Sequence, residues 1–183
     1  MAIEIKWTWT RYEGLSLDDL HDALQLRCQV FIVEQEPYQD VDGLDRHCWH
    51  LIGRAASGEQ AGAVLAYARV VDAGFKYAEP SLGRVVTPAS MRGTGVGDTL
   101  VAQALQRADA AWPGHVNRIS AQAHLHRFYG RHGYRAVGET YLEDNIPHIE
   151  MWRPAPAPAP ARPEAMEAVD AVDAADSADV GAT

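Results

Sequence analysis

From Ile3 to Trp9 apolar and polar side chains alternate, the period of a strand with one buried face, and Gly14 closes that region. Ser16-Leu17-Asp18-Asp19 reads as the start of a helix: Ser16 is placed to cap free N–H groups, and two aspartates occupy the first turn, where the dipole favours negative charge. Leu17, Leu20, Leu24 and Phe31 recur at helical spacing with Ala23 and Cys28 beside them. This predicts a core-facing helix that ends near Phe31 or runs into a second, with Cys28 buried rather than reactive. Glu34 to Asp45 is a polar loop punctuated by Pro37 and Gly43. His47–Ile52 and Ala61–Val71 read as strands joined through Ser57-Gly58-Glu59-Gln60. A third strand includes Val85-Val86 and stops at Pro88; after a glycine-rich turn, a helix opens at Thr99 and buries Leu100, Val101, Ala104, Leu105 and Ala108 before Pro113-Gly114. A strand over 115–123, a short helix over 124–132, and strands at 134–137 and 149–152 complete the folded part. The order β–α–β–β–β–α–β–α–β–β predicts an α/β fold, a mixed sheet with helices on both faces.

The turn between Val86 and Thr99 carries the clearest chemistry. A strand, a glycine-rich loop and a helix start leave the first helical N–H groups without intrahelical partners and place partial positive charge there, so the site favours an anion. Arg92-Gly93-Thr94-Gly95-Val96-Gly97 supplies an arginine and three glycines. Gly97-Asp98-Thr99 lacks the lysine that a Walker A loop needs for its outer phosphates. A dinucleotide fingerprint counted from Gly93 and Gly95 requires glycine at position 98, where Asp98 stands. An Arg-x-x-Gly-x-Gly pattern remains, and a plain tight connection would use the same glycines.

That pattern resembles the pyrophosphate loop of the GNAT acetyltransferases, and Leu125 to Tyr134, with Tyr129 four residues before Gly133, looks like the short helix that follows it in the family. Leu26–Gln35, Pro37–Asp45, Ala121–Leu125 and Glu143–Ile149 are similar to the ElaA-like branch, a branch whose acceptor the resemblance leaves open. The resemblance covers residues 1–153 and implies a GNAT acyl-CoA N-acyltransferase fold with splayed central strands. It implies acetyl-CoA as co-substrate, with Arg92, Gly93, Thr94, Gly95, Val96, Gly97 and Asp98 on the pyrophosphate and the backbone of Val85 and Val86 along the pantetheine arm. Gln122 stands where many members carry an asparagine for that arm, and it can donate and accept in the same way.

The implied reaction is direct attack of an amine on the thioester within a ternary complex. It needs a proton for the departing thiolate and a group to take one from the amine. Tyr129 matches the family's general-acid tyrosine. For the base, Glu34, Asp40, Asp42, Asp45, His50, His124 and His148 all qualify chemically; Glu34 ranks first because it leads the loop that the resemblance puts beside the acceptor cleft. Acidic residues in that loop would also suit a cationic amine, whether a small molecule or a peptide. His47-Cys48-Trp49-His50 does not predict metal, because strand alternation sends His47 and Trp49 to one face and Cys48 and His50 to the other.

Composition narrows the partners. A formal charge of −9 argues against nucleic acid, and no apolar run approaches membrane-spanning length, so a cytoplasmic protein is expected, with a homodimer among the assemblies open to it. Two cysteines do not make a disulfide scaffold. From Pro154 the chain turns to Pro-Ala repeats and then to Ala, Val and six carboxylates against Arg162, which predicts a disordered tail over 154–183. That tail motivates an alternative function, a non-catalytic CoA-binding sensor or adaptor acting through the acidic end.

Overall fold

Ten regular elements occur in the predicted order, within the computed structural model of residues 4–156. The sequence beyond Pro156, most of the predicted tail, lies outside the described residues. In the first sheet β1 (Ile5–Arg11), β2 (Cys48–Ala55), β3 (Val64–Val71) and β4 (Ser81–Val86) pair antiparallel in that order. In the second, β5 (Asn117–Gln122) and β6 (Arg135–Glu143) flank β7 (Ile146–Arg153), again antiparallel. Both last strands run longer than their apolar runs suggest, because Asp144 and Asn145 adopt φ of 50° and 61° and fold the chain tightly back on itself.

Strand alternation divides the core. Leu51, Ala66, Ala68 and Val70 face α2 (Val96–Ala111), which buries Leu100, Val101, Ala104, Leu105 and Ala108 as its apolar stripe predicts. Ile52 and Tyr67 face the other way, against Ala23, Leu26 and Val30 of α1 (Leu17–Arg27) and the π-helical turn Cys28–Val33. Ser16 caps α1 through the Asp19 N–H at 3.0 Å, and Asp19 answers the Ser16 N–H, the reciprocal cap that the sequence shows. Leu17 departs from expectation: at the first helical position it is 86% exposed, since the helix presents Ala23, Leu26, Arg27 and Val30 to the sheet instead. Cys28 is half-buried rather than buried.

Two features open the molecule where the site lies. The N-terminal ends of β4 and β5 touch, with the Arg118 N–H donating to the Pro80 carbonyl at 3.2 Å and the Leu82 N–H to Asn117 Oδ1 at 3.3 Å, but no ladder joins the strands beyond. Along β4 the register shifts by one residue, so that Tyr67 faces Val86 while Arg69 faces Gly83. Two residues, Arg84 and Val85, then share one place in the ladder. The bulge flips the strand: Leu82 packs with the α2 cluster and Val86, four residues on, with the α1 cluster.

Candidate active site

The loop after β4 makes the glycine-rich turn that the sequence predicts. Gly93 and Gly95 adopt φ of 75° and 87°, a region costly for other residues, and α2 begins at Val96, three residues earlier than predicted. Thr94 turns inward, its N–H and hydroxyl both donating to the Met91 carbonyl. Among the described residues the N–H groups of Gly93, Gly95, Val96, Gly97 and Asp98 find no protein acceptor, whereas the next one, of Thr99, bonds the Gly95 carbonyl at 3.0 Å. Five unpartnered donors within six residues at a helix N-terminus suit a phosphate. The Asp98 carboxylate does not spoil this: it turns to Arg131 at 3.0 Å and His132 Nε2 at 3.2 Å, whose hydrogen bonds hold it below its ordinary pKa. Those bonds also tie α3 (His126–Arg131) across the start of α2, where a Cβ on Gly97 would lie 3.9 Å from Phe128.

Tyr129 sits on α3 between Phe128 and Tyr134, ring centroids 5.1 and 5.8 Å away, and is 9% exposed. Burial pushes its phenol above the usual value, so it keeps its proton at neutral pH, and among the described residues its hydroxyl bonds no protein group. Gln122, at the end of β5, donates to Gln35 Oε1 at 2.9 Å. The neighbouring Glu34 accepts from Arg92. The loop after α1 therefore touches two of the residues expected at the cofactor.

The acidic loop itself is not free, which corrects the expectation that its carboxylates await a cationic amine. Arg27 binds Asp40 Oδ2 and Asp45 Oδ1, each at 2.9 Å; Arg69 binds Asp45 Oδ1 at 2.7 Å and also Asp42; Arg84 binds Asp40 Oδ1 at 2.7 Å and the Asp40 carbonyl at 3.0 Å. Sequence reasoning missed these three arginines. A signal existed: Arg27 lies on the apolar face with Ala23 and Val30, and Arg69 interrupts the apolar run of β3. His50 is also occupied. Its Nε2 bonds the Asp45 carbonyl at 2.9 Å and must carry the proton, leaving Nδ1 to accept from the Tyr67 hydroxyl at 2.8 Å. Cys48, pushed up to about 12 by burial, donates to the Leu44 carbonyl and is no nucleophile at neutral pH.

This cluster sets an acid limit on the fold. Burial lowers the His50 pKa from its ordinary 6.5, so below that pH the unfolded chain binds the proton more readily, and the contribution of His50, complete above 6.5, is lost as pH falls. Burial opposes ionisation of Asp42, but the hydrogen bonds and charge of Arg69 hold it at about 2, so a second loss begins near pH 4. Thermal melts from pH 8 to 3 are expected to show both steps, and His50→Gln, which can keep both bonds, should remove the first.

Arg84 holds the bulge at a cost. Its φ of 51° is rare for a side chain with a Cβ and is compensated by its grip on Asp40 and Asp42. Arg84→Gly is expected to melt higher than Arg84→Ala by about 1 kcal/mol, the reverse of the usual order within a strand, because glycine adopts this φ freely.

A glycine-rich helix start beside two sheets that part beyond the first residues of β4 and β5 is the architecture of the acyl-CoA N-acyltransferase class. The chain belongs to the GNAT family: the model of the acetyltransferase (GNAT) domain matches residues 47–153. It is ElaA-like within that family. Protein ElaA of Escherichia coli is 40% identical over 152 residues, covering 81% of this chain and 96% of that one. A UPF0039 protein of Synechocystis is 42% identical over 150 residues, covering 81% and 95%. The crystal structure of an acyl-CoA N-acyltransferase from Pseudomonas aeruginosa superposes with a TM-score of 0.75 at 44% identity, over 82% of this chain and 99% of that one. No described helix is long and apolar enough to cross a membrane, and no group of three or more His, Cys, Asp or Glu side chains among the described residues is arranged to hold a metal.

Proposed function

We propose that this GNAT acetyltransferase moves the acetyl group of acetyl-CoA to the amine of a small molecule or peptide by direct attack in a ternary complex, in the cytoplasm. The observation that carries the reading is the set of five unpartnered N–H groups at Gly93, Gly95, Val96, Gly97 and Asp98. Unpartnered N–H groups at a helix start stabilise an anion without reorganising, so these groups hold the pyrophosphate, and Arg92 adds a cation once phosphate displaces Glu34. The bulged edge of β4 at Val85 and Val86, left without a strand partner, receives the pantetheine arm as an added strand, with Gln122 bonding it from β5.

Tyr129 then acts as general acid. Its protonated phenol gives a proton to the thiolate as the C–S bond breaks, which favours expulsion of a group that would otherwise re-attack. Glu34, released from Arg92 on cofactor binding, is the first candidate for proton acceptor by its place in the loop, with His148 among the others.

Calorimetric titration with acetyl-CoA, followed by thiol release with a panel of amines, tests the whole reading; no binding would refute it. Tyr129→Phe is expected to lower kcat by about 100-fold or more while leaving acetyl-CoA affinity unchanged, since only the proton is removed.

A further inference from the structure

The segment Glu143–Ile149 is one of the four that resemble the ElaA-like branch, and neither the phosphate loop nor Tyr129 uses it. The fold gives it a task. Register across the second sheet puts Gln122 of β5 opposite His148 of β7, and His148 opposite Tyr141 of β6, so the three share one row and one face. The His148 and Tyr141 rings lie 6.3 Å apart at 30°. His148 Nδ1 is 2.8 Å from the Ile146 carbonyl, which can only accept. Nδ1 therefore carries the proton, and Nε2 of the neutral ring presents a lone pair that no described protein group takes up.

Beside it runs a chain of hydroxyls ending in a carboxylate. The Tyr141 hydroxyl lies 2.5 Å from Ser120 Oγ, and Ser120 donates to Glu143 Oε2 at 2.6 Å. On the same sheet Glu150 already has a cation, Arg118, which it shares with Glu79, while Asp40, Asp42 and Asp45 hold arginines. Glu143 has no basic side chain within ion-pair distance among the described residues, and Lys76 feels its charge only from further away. A half-buried carboxylate bonded by one serine, which also meets the Tyr141 hydroxyl, matches an alkylammonium.

We infer that His148 takes the proton from the acceptor amine, and that Glu143, with Ser120 and Tyr141, binds that amine as a primary alkylammonium. The inference rests on the acetyl-CoA reading, through Gln122, which puts the pantetheine arm at the end of the same row. The ammonium gives one proton to Nε2, which passes it to water at this half-exposed position. The freed nitrogen forms the C–N bond, the C–S bond breaks, the thiolate takes the Tyr129 proton, and the second proton lost from nitrogen restores the phenol. Ammonium and acetyl-CoA thus yield amide, CoA thiol and one proton. Here Glu34, displaced from Arg92 by the phosphate, leaves proton abstraction to His148.

The full-length protein is assayed for thiol release from acetyl-CoA with n-butylamine, spermidine, lysine and a peptide with a free N-terminus. Turnover with at least one is expected. With that amine, His148→Ala should lower kcat 100-fold or more, leave its KM and the acetyl-CoA Kd within about threefold, and recover in part with added imidazole, which a structural role would not allow. Glu143→Gln, which keeps the Ser120 bond, should raise the amine KM about tenfold. Wild-type kcat in His148→Ala overturns the assignment, as does loss that imidazole cannot rescue, or loss confined to Glu34→Gln. Acetyl-CoA binding without turnover of any of the four amines overturns the ammonium site. Failure to bind acetyl-CoA strikes the underlying reading instead.

Discussion

Gly95→Trp is expected to reduce acetyl-CoA affinity by at least 100-fold while the protein stays folded. The residue holds φ of 87° immediately before α2, and a Cβ there meets nothing within 4 Å, so the indole extends into open space over the free N–H groups rather than into the core. Left-handed backbone with a Cβ costs about 1–2 kcal/mol, a drop of several degrees in melting temperature for a domain of this size. Gly95→Ala carries the same strain without the indole. The comparison by calorimetric titration therefore separates a distorted loop from a filled cradle: alanine should retain most of the affinity that tryptophan loses. Equal affinities in the two variants would move the phosphate elsewhere.

Arg27→Ala is expected to be the most destabilising single change in the acidic cluster, by about 3–5 kcal/mol in urea or thermal unfolding. Arg27 is 1% exposed and makes three bonds, to Asp40 Oδ2, the Asp40 carbonyl and Asp45 Oδ1. Removal leaves two carboxylates out of water with fewer donors, and the loss lies towards the lower figure because Arg84 and Arg69 still hold Asp40 and Asp45. Arg27→Lys should fall between, since an ammonium keeps the charge but cannot reach both carboxylates with a rigid fork. Amide exchange in the 36–45 loop should quicken in both variants. A change under 1 kcal/mol would show that the other two arginines are sufficient.

How far each feature could be read depends on the range of the interaction behind it. The strand and helix order follows from periodicity, and the helix cap from Ser16 and Asp19, three residues apart. The turn before α2 was legible because its free N–H groups lie within six residues and glycines mark its left-handed positions. The β4 bulge was not. Leu82 and Val86 have the parity of one face, and only the pairing with Tyr67 and Arg69 reveals the extra residue. The acidic loop misled for a related reason: a run of aspartates looks solvated until arginines 13 and 44 residues away close on Asp40.

By itself the sequence determined what short-range physics controls: which segments become strands or helices, that a glycine-rich turn precedes α2, and that Gln122 ends the strand before the short helix that carries Tyr129. Only the tertiary structure decided which charges remain available. It neutralised Asp40, Asp42 and Asp45 through Arg27, Arg69 and Arg84, turned Glu34 to Arg92, and aligned Gln122, His148 and Tyr141 in one row. The physical reason is that a carboxylate or imidazole acquires its role from the partners that burial brings within 3 Å, and those partners come from distant strands whose register the local pattern does not encode.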